Sequence, residues 1–175
     1  MKRPGVKAGG IGMVIKYEPL NRRERIVRLF REALEAENRK DLETAKRKLD
    51  EILHESLNTE PEFYFEACFR LAEIFLQEDN YRGAVKCAFR AILRAPSEDH
   101  YRLGVKRLGD ILAIIKREGK LGELAENMEA TLKLVEEDEE LRRFAEALVK
   151  LAQGKKVREK FTLPEFNEVF ESLIE

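Results

Sequence analysis

The chain has 175 residues, of which 43% are apolar and 38% charged, and its formal net charge is −1. That apolar share argues against disorder throughout, and a chain of this length can bury roughly 70% of its unfolded surface. The cancelled charge leaves no overall field that demands nucleic acid or an acidic membrane.

No window approaches the roughly 18 unbroken apolar residues of a membrane span. The opening MKRPGVKAGG is basic but leads into no apolar signal region. Cytoplasm is therefore the expected location. Glu, Lys and Arg dominate the polar residues, with Gln only at Gln77 and Gln153. This bias resembles proteins of hot environments, where surface ion-pair networks are more useful.

Residues 1–20 carry Pro4, Gly5, Gly9, Gly10, Gly12 and Pro19 and read as a flexible arm. Its AGGIG lacks the GxGxxG spacing and the Lys-Ser/Thr of a phosphate loop. Met13 opens a more ordered-looking stretch, MVIKYEPL, and is a candidate start. From Asn21 the apolar period is helical, through Ile26, Leu29, Phe30, Ala33 and Ala36. Asp41 can cap a second helix with Leu42, Ala45, Leu49, Ile52 and Leu53 inward. Pro61 fits the first turn of a third. That helix is apolar on most of its circumference, with Glu62, Glu66, Arg70, Glu73 and Gln77 as its polar stripe.

Asp79 and Asn80 are turn and N-cap residues, so a fourth helix spans Tyr81 to Ala95, stopped by Pro96. Ser97 can cap a fifth, from Glu98 to about Glu118. Gly104 and Gly109 lie inside it, each costing on the order of 1 kcal/mol against Ala; close approach of a neighbouring helix would explain them. Gly119 is a natural stop. A sixth helix is predicted through Leu121, Leu124, Ala125, Met128, Leu132 and Val135. The apolar phase then jumps, which places a break near Glu137-Asp138 and a seventh helix through Leu141, Phe144, Ala145 and Leu148. After the basic connector KKVREK, Thr162 and Glu165 form a T-x-x-E capping box for a last helix. The expected domains are the arm over 1–20, a helical domain over 21–154, and a connector with a C-terminal capping helix over 155–175.

Cys68 and Cys87 sit among apolar neighbours and read as buried thiols, with a disulfide as the alternative. With His54 and His100 they lack zinc-ligand spacing, so no metal is expected. There is no GxSxG, Walker loop or HExxH, and neither catalysis nor a cofactor is expected. Arg82, Lys86, Arg90 and Arg94 recur every four residues on a helix with no acidic residue. They form a candidate stripe for phosphates or an acidic partner. Residues 121–140 are acidic in turn, so two copies could meet through opposite faces.

Between Leu71 and Pro96, Leu71, Ala72 and Phe75 share a face of one helix, and Tyr81, Ala84 and Ala91 share a face of the next. This spacing resembles a tetratricopeptide repeat, with Leu71-Ala72 at the family's Leu-Gly pair and Pro96 at its terminal proline. Ala88 departs, standing where the family usually has an aromatic. Looser copies run over 22–57 and 98–136, and Ala45, Ala84 and Ala125 are spaced at about forty residues, longer than the family's 34. The resemblance implies an all-α fold. Antiparallel helical hairpins, about three of them, stack as a short right-handed superhelix with a C-terminal capping helix.

The resemblance also implies a concave groove lined by Phe30, Leu34 and Asn38 from the first unit and Glu66, Phe69, Glu73, Leu76 and Gln77 from the second. Phe69 and Glu73 would stand where some members clamp a partner's terminal carboxylate. They would repel it, so a basic or amphipathic segment is the expected ligand. The terminal segments are the competing occupants. The expected function is a non-enzymatic scaffold binding a peptide or helix of a protein partner. A nucleic-acid-binding accessory protein and a self-assembling homo-oligomer are the alternatives.

Overall fold

Asn21 opens the first helix with a reciprocal cap. Its Oδ1 accepts from Glu24 N at 2.8 Å, and its own N–H donates to Glu24 Oε1 at 3.1 Å. The structure, a computed structural model, describes residues 21–175; the arm over 1–20, with AGGIG and MVIKYEPL, lies outside the described residues. Among these the fold is all-α, without a strand. The helices are α1 (Arg22–Asn38), α2 (Leu42–Ser56), α3 (Pro61–Gln77), α4 (Tyr81–Leu93), α5 (Glu98–Arg117), α6 (Glu129–Leu134), α7 (Glu139–Ala152) and α8 (Pro164–Ile174). A 3₁₀ turn spans Leu121–Leu124. From α1 to α5 each helix packs on the next, because connectors of three or four residues turn the chain straight back. The packing is compatible with a helical repeat.

The turns carry the repetition. The N–H of Asp41 donates to Ala36 O at 2.8 Å, that of Asn80 to Phe75 O at 2.8 Å, and that of Lys120 to Ile115 O at 2.9 Å. Each is the six-to-one bond that closes a helix around a left-handed residue. Those residues are Lys40, Asp79 and Gly119, with φ of 64°, 59° and 73°. Asp41 and Asn80 then cap the following helices by accepting from Thr44 N and Gly83 N. Ser97 and Asp138 do the same for α5 and α7.

One core runs through all eight helices. Ala45, Ala84, Ala88 and Ala91 have no exposed surface, which lets neighbouring backbones approach. Gly104 has the same role on α5, since a Cβ there would stand 2.8 Å from Ile92 Cγ1 and 3.3 Å from Phe65. Gly109 meets Val169 of α8 on the opposite flank. On that flank Arg102 pairs with Glu165 at 3.2 Å and Lys116 Nζ donates to Ser172 O at 3.0 Å. Arg102, Gly109 and Lys116 recur every seven residues, so α8 lies along one stripe of α5.

Two expected elements differ. The single sixth helix is instead the 3₁₀ turn and the short α6. Asn127 takes a left-handed conformation, φ 60°, which a right-handed helix cannot contain. Leu124 and Met128 are buried nonetheless, and Gln153 Nε2 ties the segment down by donating to Ala125 O at 3.1 Å. Thr162 does not cap α8 either. Leu163 is the capping residue and Pro164 the first helical one. The Glu140 carboxylate of α7 accepts from the N–H groups of Thr162 and Leu163. A distant acid thus does the job assigned to a local hydroxyl, and it sits where a helix N-terminus favours negative charge.

Candidate functional site

The most exposed apolar row among the described residues is on α1. Val27 and Leu34 are 48% and 47% exposed, and with half-buried Phe30 they follow i, i+3, i+7 spacing on one face. The Phe63 ring of α3 stands 5.8 Å from that of Phe30. Together Phe30, Arg31, Leu34, Phe63, Glu66 and Arg70 line a shallow cleft of about 430 Å³. Its apolar floor is held by cations. Arg23 lies over Phe63 at 4.8 Å and pairs with Glu60 at 2.7 Å, and Arg70 pairs with Glu37 at 3.5 Å. Helix α8 packs on α5 and α7, and none of its residues lines this cleft.

Of the residues expected in a groove, Phe30, Leu34 and Glu66 come together here. Asn38, Glu73 and Gln77 are exposed further along α1 and α3, and Leu76 is half-buried. Phe69 is not on the surface. It is 1% exposed, its ring covered by the Arg107 guanidinium at 4.2 Å. Arg107 also pairs with Glu66 at 2.9 Å. The acidic, aromatic character expected of this face is therefore neutralised by a cation from α5. Sequence reasoning misses Val27, Phe63, Arg31 and Arg70 in this role. The available signal is that Val27 and Leu34 fall one residue off the buried series Ile26, Ala33 and Ala36.

The basic stripe of α4 is partly committed. Arg82 donates to Glu123 O at 2.8 Å, and Arg94 lies over the Tyr64 ring at 5.7 Å. Among the described residues Lys86 and Arg90 have no ion-pair partner within 4.0 Å. Arg90 lines a mixed-charge recess of about 410 Å³ with Glu43, Lys46, Arg47 and Asp50 of α2.

Cys68 and Cys87 are buried free thiols. Burial pushes Cys87 from its ordinary 9.0 up to about 11. Cys68 is pushed further up, by burial and then by the neighbouring Cys87. Burial likewise raises the Tyr64 hydroxyl from 10.0 to about 12. Burial thus favours the neutral, protonated form of all three groups. The unfolded chain would release these protons from about pH 9, while the folded chain keeps them. Their contribution to stability is thus complete below pH 9 and is lost as pH rises through 11 to 12. Thermal melts should hold steady to about pH 9 and then fall, and the Cys68→Ala/Cys87→Ala double variant should fall less steeply; equal slopes would refute the assignment.

His100 caps with Ser97, its Nδ1 at 2.8 Å from Ser97 Oγ, and its ring stands edge-on to Phe65 at 5.3 Å; His54 is exposed. Among the described residues no group of three His, Cys, Asp or Glu could hold a metal, and no helix is long and apolar enough to cross a membrane. Compared with known proteins, the chain matches no family model, no curated protein and no solved structure.

Proposed function

We propose that this chain is a non-enzymatic protein-interaction module built as a tetratricopeptide-like stack of hairpins. The face formed by α1 and α3 receives an amphipathic helix or peptide of a partner protein. The carrying observation is the row of exposed Val27 and Leu34 with half-buried Phe30 between them, opposite Phe63. Single exposed apolar residues are ordinary, whereas a contiguous row rimmed by polar groups marks an interaction surface. A helix presenting apolar residues at i, i+3 and i+7 fits such a row. Arg31 and Arg70 would meet acidic residues on its flanks. The left-handed turns at Lys40, Asp79, Gly119 and Gly154, which recur 39, 40 and then 35 residues apart, support the stacked arrangement.

Nucleic-acid binding through α4 ranks second, since Arg82 and Arg94 are engaged within the molecule. The test uses immobilised full-length chain and quantitative recovery from a cell extract, then direct titration of whichever protein is retained. Val27→Asp and Leu34→Asp replace exposed side chains and should leave the melting temperature within about 2 °C. Together they should weaken the retained partner at least about tenfold, as the loss of a central apolar anchor does. An unchanged partner affinity would end the assignment.

A further inference from the structure

A second cleft lies between the connector 155–160 and α8 and shares no lining residue with the first. Its volume is about 850 Å³. Leu151, Val157, Phe170, Leu173 and Ile174 form an apolar floor, and Lys155, Lys156, Arg158 and Lys160 form the wall. Ile174 is 51% exposed, the most open of the large apolar side chains among the described residues. None of the four cations has an ion-pair partner within 4.0 Å among the described residues. Two carboxylates line the same cleft. Glu159 is held by Arg143 at 2.6 Å, which leaves Glu171 to oppose four charges.

We propose that this cleft is a docking site for an acidic, extended segment of a partner protein, with apolar side chains set between its carboxylates. Charge complementarity selects the acid, and exposed Ile174 with half-buried Leu151 and Val157 selects the apolar residues. The extended form follows from the connector. It is irregular, and among the described residues the backbone N–H groups of Lys156 to Lys160 donate to no protein acceptor. A strand-like ligand lying along one edge can pair with alternate members of such a set of open donors.

Other ligand classes match less of the site. The four cations are spread over the six residues 155–160, which favours a ligand with several separate negative charges over a single phosphate or headgroup. Nucleic acid would leave the apolar floor unused, because Phe170, the one ring in the lining, is itself buried. The acidic run of a second copy is already committed in part. Asp138 caps α7 and accepts from Tyr101 Oη at 2.7 Å, and Glu140 holds the start of α8.

The probe is a labelled twelve-residue peptide alternating Glu and Leu, titrated against the full chain by fluorescence polarisation. Saturable binding is expected, weakening as salt is raised. Lys156→Glu/Arg158→Glu should reduce affinity at least about tenfold, and Ile174→Ser severalfold, with melting temperatures unchanged. Leu34→Asp should leave it unaltered, which separates this site from the α1–α3 face. Lys155→Gln/Lys160→Gln gives a second reading of charge if the reversal perturbs folding. Absence of saturable binding would overturn the proposal, as would an affinity unchanged from the parent chain in both charge variants. So would equal binding of a Glu-Ser peptide, or preferential binding of anionic vesicles or single-stranded RNA.

Discussion

Phe144→Ala is expected to lower stability by about 3–5 kcal/mol, the usual cost of emptying a buried aromatic position. Phe144 has no exposed surface. Its ring centroid lies 5.7 Å from Phe161, 5.1 Å from Phe166 and 6.3 Å from Phe170. One side chain of α7 thereby holds the connector end and two turns of α8. Removing it takes away apolar burial and the ring-to-ring contacts worth about 0.5–1.5 kcal/mol each. At about 2–4 °C per kcal/mol for a chain of this size, the melting temperature should fall by roughly 6–20 °C. Hydrogen exchange should show protection lost first in α7, α8 and the segment between them. A fall of less than about 2 °C would mean that α8 is not packed as described.

The second large effect belongs to Gly104→Leu. Glycine inside a helix costs about 1 kcal/mol against alanine, so substitution there would ordinarily help. Here the added Cβ would lie 2.8 Å from Ile92 Cγ1, against a residue with no exposed surface. Ile92 has nowhere to move, and Phe65 closes the other side at 3.3 Å. Overpacking of this kind costs about 1–3 kcal/mol, occasionally more. Gly122→Ala is the control for a glycine with open space around it. No atom lies within 4 Å of the place its new methyl group would take, so the change should stabilise by about 0.4–1 kcal/mol through the unfolded chain. Chemical denaturation of both variants checks the pair. A Gly104→Leu variant as stable as the parent, or more so, would show that helix propensity, not the α4–α5 approach, governs the site.

Local chemistry is the legible part of the sequence. Asp41, Asn80 and Ser97 each cap through a bond to a residue three positions on, so both partners sit in one short window; Asn21 and Asp138 cap in the same way, although the sequence marks them only as a helix start and a break. Pro61 and Gly119 are equally self-contained. What escapes is whatever depends on distant partners. The Glu140 carboxylate reaches the start of α8 across 22 residues, and from Thr162 and Glu165 alone a local box is the simpler inference. Arg107 reaches Glu66 across 41 residues, and nothing near Phe69 signals that a guanidinium will cover it. Over 121–135 the apolar spacing of Leu124, Met128, Leu132 and Val135 suits one helix. Burial of those side chains is compatible with a broken path as well, and periodicity cannot distinguish the two. For the candidate site, α1 carries a readable signal in its off-phase Val27 and Leu34. Which cations flank them depends on tertiary approach.

The seat of α8 along the outer flank of α5 limits how copies could join. With Val169 pressed on Gly109 and Glu165 bound to Arg102, that stripe of α5 is already covered and is closed to a helix of another chain. A second molecule has to join elsewhere, and where one patch meets its own counterpart the union closes on itself as a two-fold pair and gives no growing filament.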